Sequence, residues 1–255
     1  MTNYLYHYTS VETLALILRD KTIRFSNLSV VDDLEEQETE DFGEYGRFCF
    51  VSCWVKDSAE SIPLWNMYTP DMSGVRIRLP ENPFDTEVLR TANDGEPITY
   101  TKGLVDFQER SGYSAIPPEA VFLEVQYTDN QKLLTPSILD ESKNISPISM
   151  DNIGKFKRKA WAFQKEYRYK LFIHPWSLEE GKETSLENLM WHFEKLKEYK
   201  LTTSYVDLQL KPGALDHMEI LLGPKVSEGQ QTIVEALKDK YEPSAEVIRS
   251  SLRIK

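Results

Sequence analysis

The chain has 255 residues, of which 40% are apolar and 28% charged, and a net charge of −11. That length and apolar fraction suffice for a sizeable core without disulfide or metal staples, and the acidic balance opposes non-specific coating of nucleic acid. No apolar run approaches the roughly 18 residues of a membrane span. The opening Met1-Thr2-Asn3-Tyr4 lacks the basic-then-apolar pattern of an export signal, so a cytoplasmic protein with no membrane contact is expected.

Tyr4 to Tyr8 reads as a short aromatic strand. Thr9 then caps a helix, with Glu12 completing a capping box and Val11, Leu14, Ala15 and Leu18 forming its apolar stripe. Thr22 to Ser26 reads as a second strand. Residues 32–44 follow with eight acids, most simply a solvated loop or polar helix. Phe48 to Trp54 is a third strand. It carries Cys49 and Cys53, the two cysteines of the chain. Strand rise separates them by roughly 13 Å, too far for a disulfide, so two free thiols in a reducing compartment are expected.

Ser61 caps a short helix with Pro63 in its first turn, and Ile62, Trp65 and Tyr68 share one face of it. Val75 to Leu79 is a strand. Residues 80–118, rich in Pro, Gly, Asn and Asp, read as a loop-rich insertion with one short helix. Ala120 to Tyr127 is a strand and Asn152 to Phe163 a basic helix, part of a run of seven bases in residues 155–170. Glu166 to Ile173 alternates cleanly. Tyr167, Tyr169, Leu171 and Ile173 form a core face, whereas Glu166, Arg168 and Lys170 line a cleft or face solvent. Ser185 caps a helix with Leu186, Leu189, Met190, Phe193 and Leu196 on one face. Tyr205 to Leu210 and Met218 to Leu222 are strands, Ser227 starts a helix with Ile233, Leu237 and Tyr241 in line, and Ala245 to Leu252 is a final strand. Without repeats, linkers or a βαβ rhythm, residues 1–255 read as one α+β domain with a mixed, mainly antiparallel sheet and flanking helices.

No glycine-rich phosphate loop and no zinc or EF-hand motif is present, and His7, His174, His192 and His217 lack ligand spacing, so no metal is expected. Three segments hold candidates for chemistry. His7 ends a strand beside a helix N-terminus, where it either meets a ligand or is hydrogen-bonded in place. The segment Trp161 to Tyr169 puts Glu166 and Arg168 on one strand face, as a cleft wall or an ion-paired edge. Trp65 and Tyr68 are either core or a stacking surface.

Together these segments resemble a bacterial family known as domain of unknown function 2971. The resemblance rests on the order of Tyr6-His7-Tyr8-Thr9-Ser10, Ile23-Arg24-Phe25-Ser26, Phe50-Val51-Ser52-Cys53, Leu64-Trp65-Asn66-Met67-Tyr68, Gly74-Val75-Arg76-Ile77, Trp161-x4-Glu166-Tyr167-Arg168 and Ile220-Leu221-Leu222-Gly223-Pro224. The chain departs from it at Val31-Asp32-Asp33-Leu34, where the family usually shows Asn-Asp-Pro. That layout is similar to ADP-ribosyltransferases, including toxins that modify DNA bases. The resemblance implies an ADP-ribosyltransferase-like fold and an NAD-consuming enzyme, a toxin or phage-defence effector acting on nucleic acid or protein. Glu166 would stabilise the ribosyl cation and His7 would donate a hydrogen bond to a ribose hydroxyl or the carboxamide. Trp65 or Tyr68 would stack on nicotinamide, Arg24 or Arg168 would pair with pyrophosphate, and Thr9 and Ser52 would complete the cofactor site. The basic run 155–170 would attract the acceptor. Two alternatives stand beside it. One is a metal-dependent nuclease using Asp32 or Asp33 with Glu166 and Lys170; the other is a non-catalytic module that binds a nucleotide or a partner.

Overall fold

The computed structural model describes residues 3–89, 97–139, 149–175, 196, 198, 199 and 201–254. It is an α+β structure built on a mainly antiparallel mixed sheet. In chain order the elements are β1 (Tyr4–Thr9), α1 (Val11–Asp20), β2 (Thr22–Asn27), β3 (Cys49–Val55), α2 (Ile62–Tyr68), β4 (Val75–Pro80), β5 (Thr86–Leu89), β6 (Ile98–Thr101), α3 (Leu104–Ser111), β7 (Ser114–Glu124), β8 (Gln126–Thr128), α4 (Gln131–Leu134), β9 (Phe156–Arg158), β10 (Glu166–His174), β11 (Tyr205–Gln209), β12 (Glu219–Leu222), α5 (Glu228–Tyr241) and β13 (Glu246–Arg249). Short 3-10 turns occupy 28–30, 34–37, 45–48, 70–72 and 159–164.

Nine of the described strands form one sheet in the order β11-β2-β3-β1-β4-β12-β13, with β10 on β3 and β7 on β10. Only β12 and β13 pair in parallel within it. β3 is the branch point. One of its edges pairs with β10 from Cys49 to Val55. Its other edge pairs with β2 at Phe50 and Val51 and with β1 at Val55 alone. β2 and β1 therefore diverge from a shared strand, and the sheet forks between them.

The main core lies on one side of the sheet, where Leu5, Phe25, Phe50, Ile77, Leu171 and Ile220 meet Leu14 and Leu18 of α1 and Val234 of α5. Helix ends follow local chemistry. Ser10 caps α1 by accepting from the Thr13 amide, one residue later than expected, because Thr9 still pairs with Val75 in the sheet. Ser227 and Gln230 form a full capping box on α5, although its buried face centres on Val234 and leaves Ile233 exposed.

Several expected elements differ. Residues 80–118, expected as a loop-rich insertion with one short helix, hold that helix as α3 and also the antiparallel β5–β6 pair and the start of β7. The basic segment 152–163 is not a helix. Gly154 turns at φ +67, β9 then pairs in parallel with β8, and a 3-10 turn follows. The expected helix after Ser185, with His192, lies outside the described residues except for Leu196. Among the described residues no helix is long and apolar enough to cross a membrane.

Candidate functional site

The fork opens into a cavity of about 300 Å³, walled by β1, β2, β3, α2, residues 30–32, β9, Gln164 and β10. His7, Arg24, Ser52, Tyr68, Glu166 and Arg168 all line it. Thr9 and Trp65 do not. Thr9 borders a separate groove with Ser10, Thr13 and Asn66. Trp65 is fully buried, edge-on to Tyr8 at 4.8 Å, with its indole N–H donating to Glu60 at 3.0 Å. A bulky ring beside β1 packs into the core, and the smaller reach of α2 toward the cavity is left to Tyr68.

His7 sits where β1 leaves β3. Its Nδ1 lies 2.8 Å from the Cys53 carbonyl oxygen. A carbonyl only accepts, so Nδ1 carries the proton and donates. Burial holds the imidazole below its ordinary 6.5 and the carbonyl contact offsets part of that, so the ring is neutral near pH 7. Nε2 is then an acceptor, the reverse of the donor role expected from sequence. The Trp54 ring supports the imidazole at 5.1 Å, and Trp54 Nε1 donates to Ser52 Oγ at 3.0 Å.

Glu166 heads β10 within a closed ionic quartet. Arg168 Nε and Nη2 donate to its Oε1 at 2.8 and 2.5 Å, and Lys157 Nζ donates to its Oε2 at 2.7 Å. Glu36 completes the set, accepting from Arg168 Nη1 at 2.5 Å. The Lys157 ammonium also lies 3.0 Å from Glu36 Oε1, off the hydrogen-bonding direction, so that contact is Coulombic. None of the four residues is more than 4% exposed. Two cations and two carboxylates cancel, which is the condition under which charges survive burial. Burial pushes the Glu166 carboxyl up, but Arg168 and Lys157 outweigh it and hold it at about 2.

The charged face of β10 is therefore interior, not solvent-facing. Lys170 is turned away to the Asp151 and Ile153 carbonyls, each at 2.9 Å. A polar chain leads from the quartet to α2: Lys157 donates to Gln164 Oε1 at 2.9 Å, and Gln164 Nε2 donates to the Tyr68 hydroxyl at 2.7 Å. Burial pushes the Tyr68 phenol up, and the nearby Cys53 thiol, Glu166 and Asp32 add to it.

The expected cationic groups are otherwise engaged. Arg24 forms a bidentate pair with Asp207, both contacts at 2.9 Å, with its guanidinium 3.7 Å above the Tyr205 ring. In the basic run, Arg158 pairs with Glu35, Lys159 with Asp129 and Lys165 with Asp57. The acids of 32–44 are likewise not all solvated: Glu36 joins the quartet, and Asp41 accepts from the Ile138 and Leu139 amides. Glu36, Cys53, Trp54 and Gln164 were not singled out as site residues, and Lys157, expected only as part of an acceptor-attracting basic run, is instead a buried ion-pair partner. Pairing across as many as 132 positions leaves no local pattern that would mark them. Among the described residues no group of three His, Cys, Asp or Glu side chains is placed to hold a metal ion.

No family model, curated protein or solved structure matches this chain.

Proposed function

We propose that the fork cavity binds NAD or a related nucleotide and that the chain is an ADP-ribosyltransferase-like enzyme. One observation carries this reading: an ionised Glu166 carboxylate and the acceptor Nε2 of His7 line the same 300 Å³ cavity. That volume is at the low end for small-molecule pockets and suits one nucleoside-sized half of a dinucleotide. Cleavage of the nicotinamide–ribose bond develops positive charge on the ribose, and a carboxylate fixed beside it lowers that barrier. His7 Nε2 accepts from a ribose hydroxyl, and the Tyr68 ring is the aromatic surface available to a cationic nicotinamide. Arg168 is engaged on every nitrogen by Glu166, Glu36 and Gly154, so the pyrophosphate is left to the open mouth.

A second reading has an observation of its own. Both Glu166 oxygens are already held by Lys157 and Arg168, which reduces the field available to a ribosyl cation and favours a non-catalytic nucleotide-binding module. The nuclease reading has less support, since Asp33 caps the Glu35 amide and Lys170 is held by backbone carbonyls.

The deciding experiment measures nicotinamide release from NAD by folded protein, with DNA, RNA and cell lysate each offered as acceptor, alongside calorimetric NAD binding. Release above background that His7→Ala weakens mainly through NAD affinity supports the transferase. Binding without release under any condition supports the module, and absence of binding removes both.

A further inference from the structure

Arg24 is placed for a different task from anion pairing. Its Nε and Nη2 edge is closed by Asp207 and one face of its guanidinium is covered by Tyr205 at 3.7 Å. The charge is compensated and the plane is locked, yet Arg24 is 44% exposed at its side chain and lines the cavity. What it offers is a flat, weakly hydrated conjugated surface. Val30, in the turn after β2, lines the same cavity while 59% exposed, and Val31 lies beside it on that wall.

We propose that Arg24, backed by Tyr205, and the Val30–Val31 turn form the two sides of a slot for the second base of a dinucleotide, the adenine when the ligand is NAD. This rests on the NAD reading above and extends it, since the 300 Å³ cavity holds only one half of such a ligand and the other half must lie at its mouth. Bases stack on arginine planes as they do on aromatic rings, and such stacking tolerates any base because every base has a π-face.

The test compares calorimetric Kd values for NAD and for nicotinamide mononucleotide, which lacks the adenosine half. The wild-type chain binds NAD about tenfold more tightly than the mononucleotide, the size expected of one stacked base. Arg24→Lys keeps the charge and the Asp207 partner but loses the plane, so it abolishes that preference by weakening NAD alone. Tyr205→Leu leaves Arg24 charged and paired while removing its backing, and weakens NAD in the same direction. Circular dichroism establishes that each variant is folded. Equal wild-type affinity for the two ligands overturns the slot and leaves the NAD reading standing. An equal loss of both ligands in Arg24→Lys also overturns it, because Arg24 then acts through charge. No wild-type binding of either ligand overturns the NAD reading and the slot together.

Discussion

Cys53 meets the cavity through two groups, a carbonyl that accepts from His7 and a thiol close to Glu166. Burial pushes that thiol well above its ordinary 9.0, with Glu166 adding to the effect, and burial pushes Cys49 up to about 12. Both are free thiols, and a neutral thiol is a poor nucleophile. A disulfide-exchange reagent at pH 8 should therefore react slowly with native protein and rapidly with two groups per chain once it is unfolded without reductant. Fast native reaction of both groups would contradict the burial of Cys49 and the neutral state of Cys53, which is half-buried on the cavity wall. That Cys49 and Cys53 lie too far apart to bond was legible from strand spacing. The tautomer of His7 was not, because it depends on a carbonyl 46 positions away.

At the scale of elements, β10 shows both the reach and the limit of pattern reading. Its alternation correctly identifies Tyr169, Leu171 and Ile173 as interior, whereas Tyr167, read on the same face, is only partly buried. The same alternation leaves Glu166, Arg168 and Lys170 as a cleft wall or a solvent face; Glu166 and Arg168 do line the cavity, but a single strand carries no sign of the Glu36 and Lys157 that neutralise them. The basic segment misleads for a related reason: lysine and arginine favour helix, while Gly154 and the demand for an inward Lys157 impose β9. The quartet has measurable consequences. Glu166→Gln leaves two buried cations facing one carboxylate and should lower unfolding free energy by about 3–5 kcal/mol in urea titrations. Lys157→Met alone leaves the opposite excess and should cost a similar amount. Combined, they leave the neutral Glu36–Arg168 pair, so the double variant should lose far less than the sum. Strict additivity would show that the four charges do not act as a unit. The double variant is also the background in which loss of Glu166 chemistry can be separated from loss of fold.

For the whole molecule, the α+β class and antiparallel bias were readable from element order, but the fork was not, since β3 is shared between β1, β2 and β10 through long-range pairing alone. Stability should depend on pH in a defined way. Burial lowers the His174 imidazole from 6.5 to about 3, so the unfolded chain takes up a proton that the folded chain refuses, and stability falls as pH drops from 6.5 toward 3. Glu166 is lowered from 4.5 to about 2, and its stabilisation, full above pH 4.5, disappears as pH falls toward 2. Urea midpoints should decline below pH 6.5 and steepen below 4.5, with His174→Gln flattening the upper part. An unchanged upper slope in that variant would discount His174. The quartet also bears on how the chain assembles. The pair on β10 is neutral by itself, whereas Glu36 and Lys157 come from two other stretches with opposite charges, and either docked without the other would strand a charge in the interior. Those two stretches should therefore close onto β10 together and leave it together. Amide exchange at 34–37 and 156–158 should then report one shared opening free energy rather than two separate values.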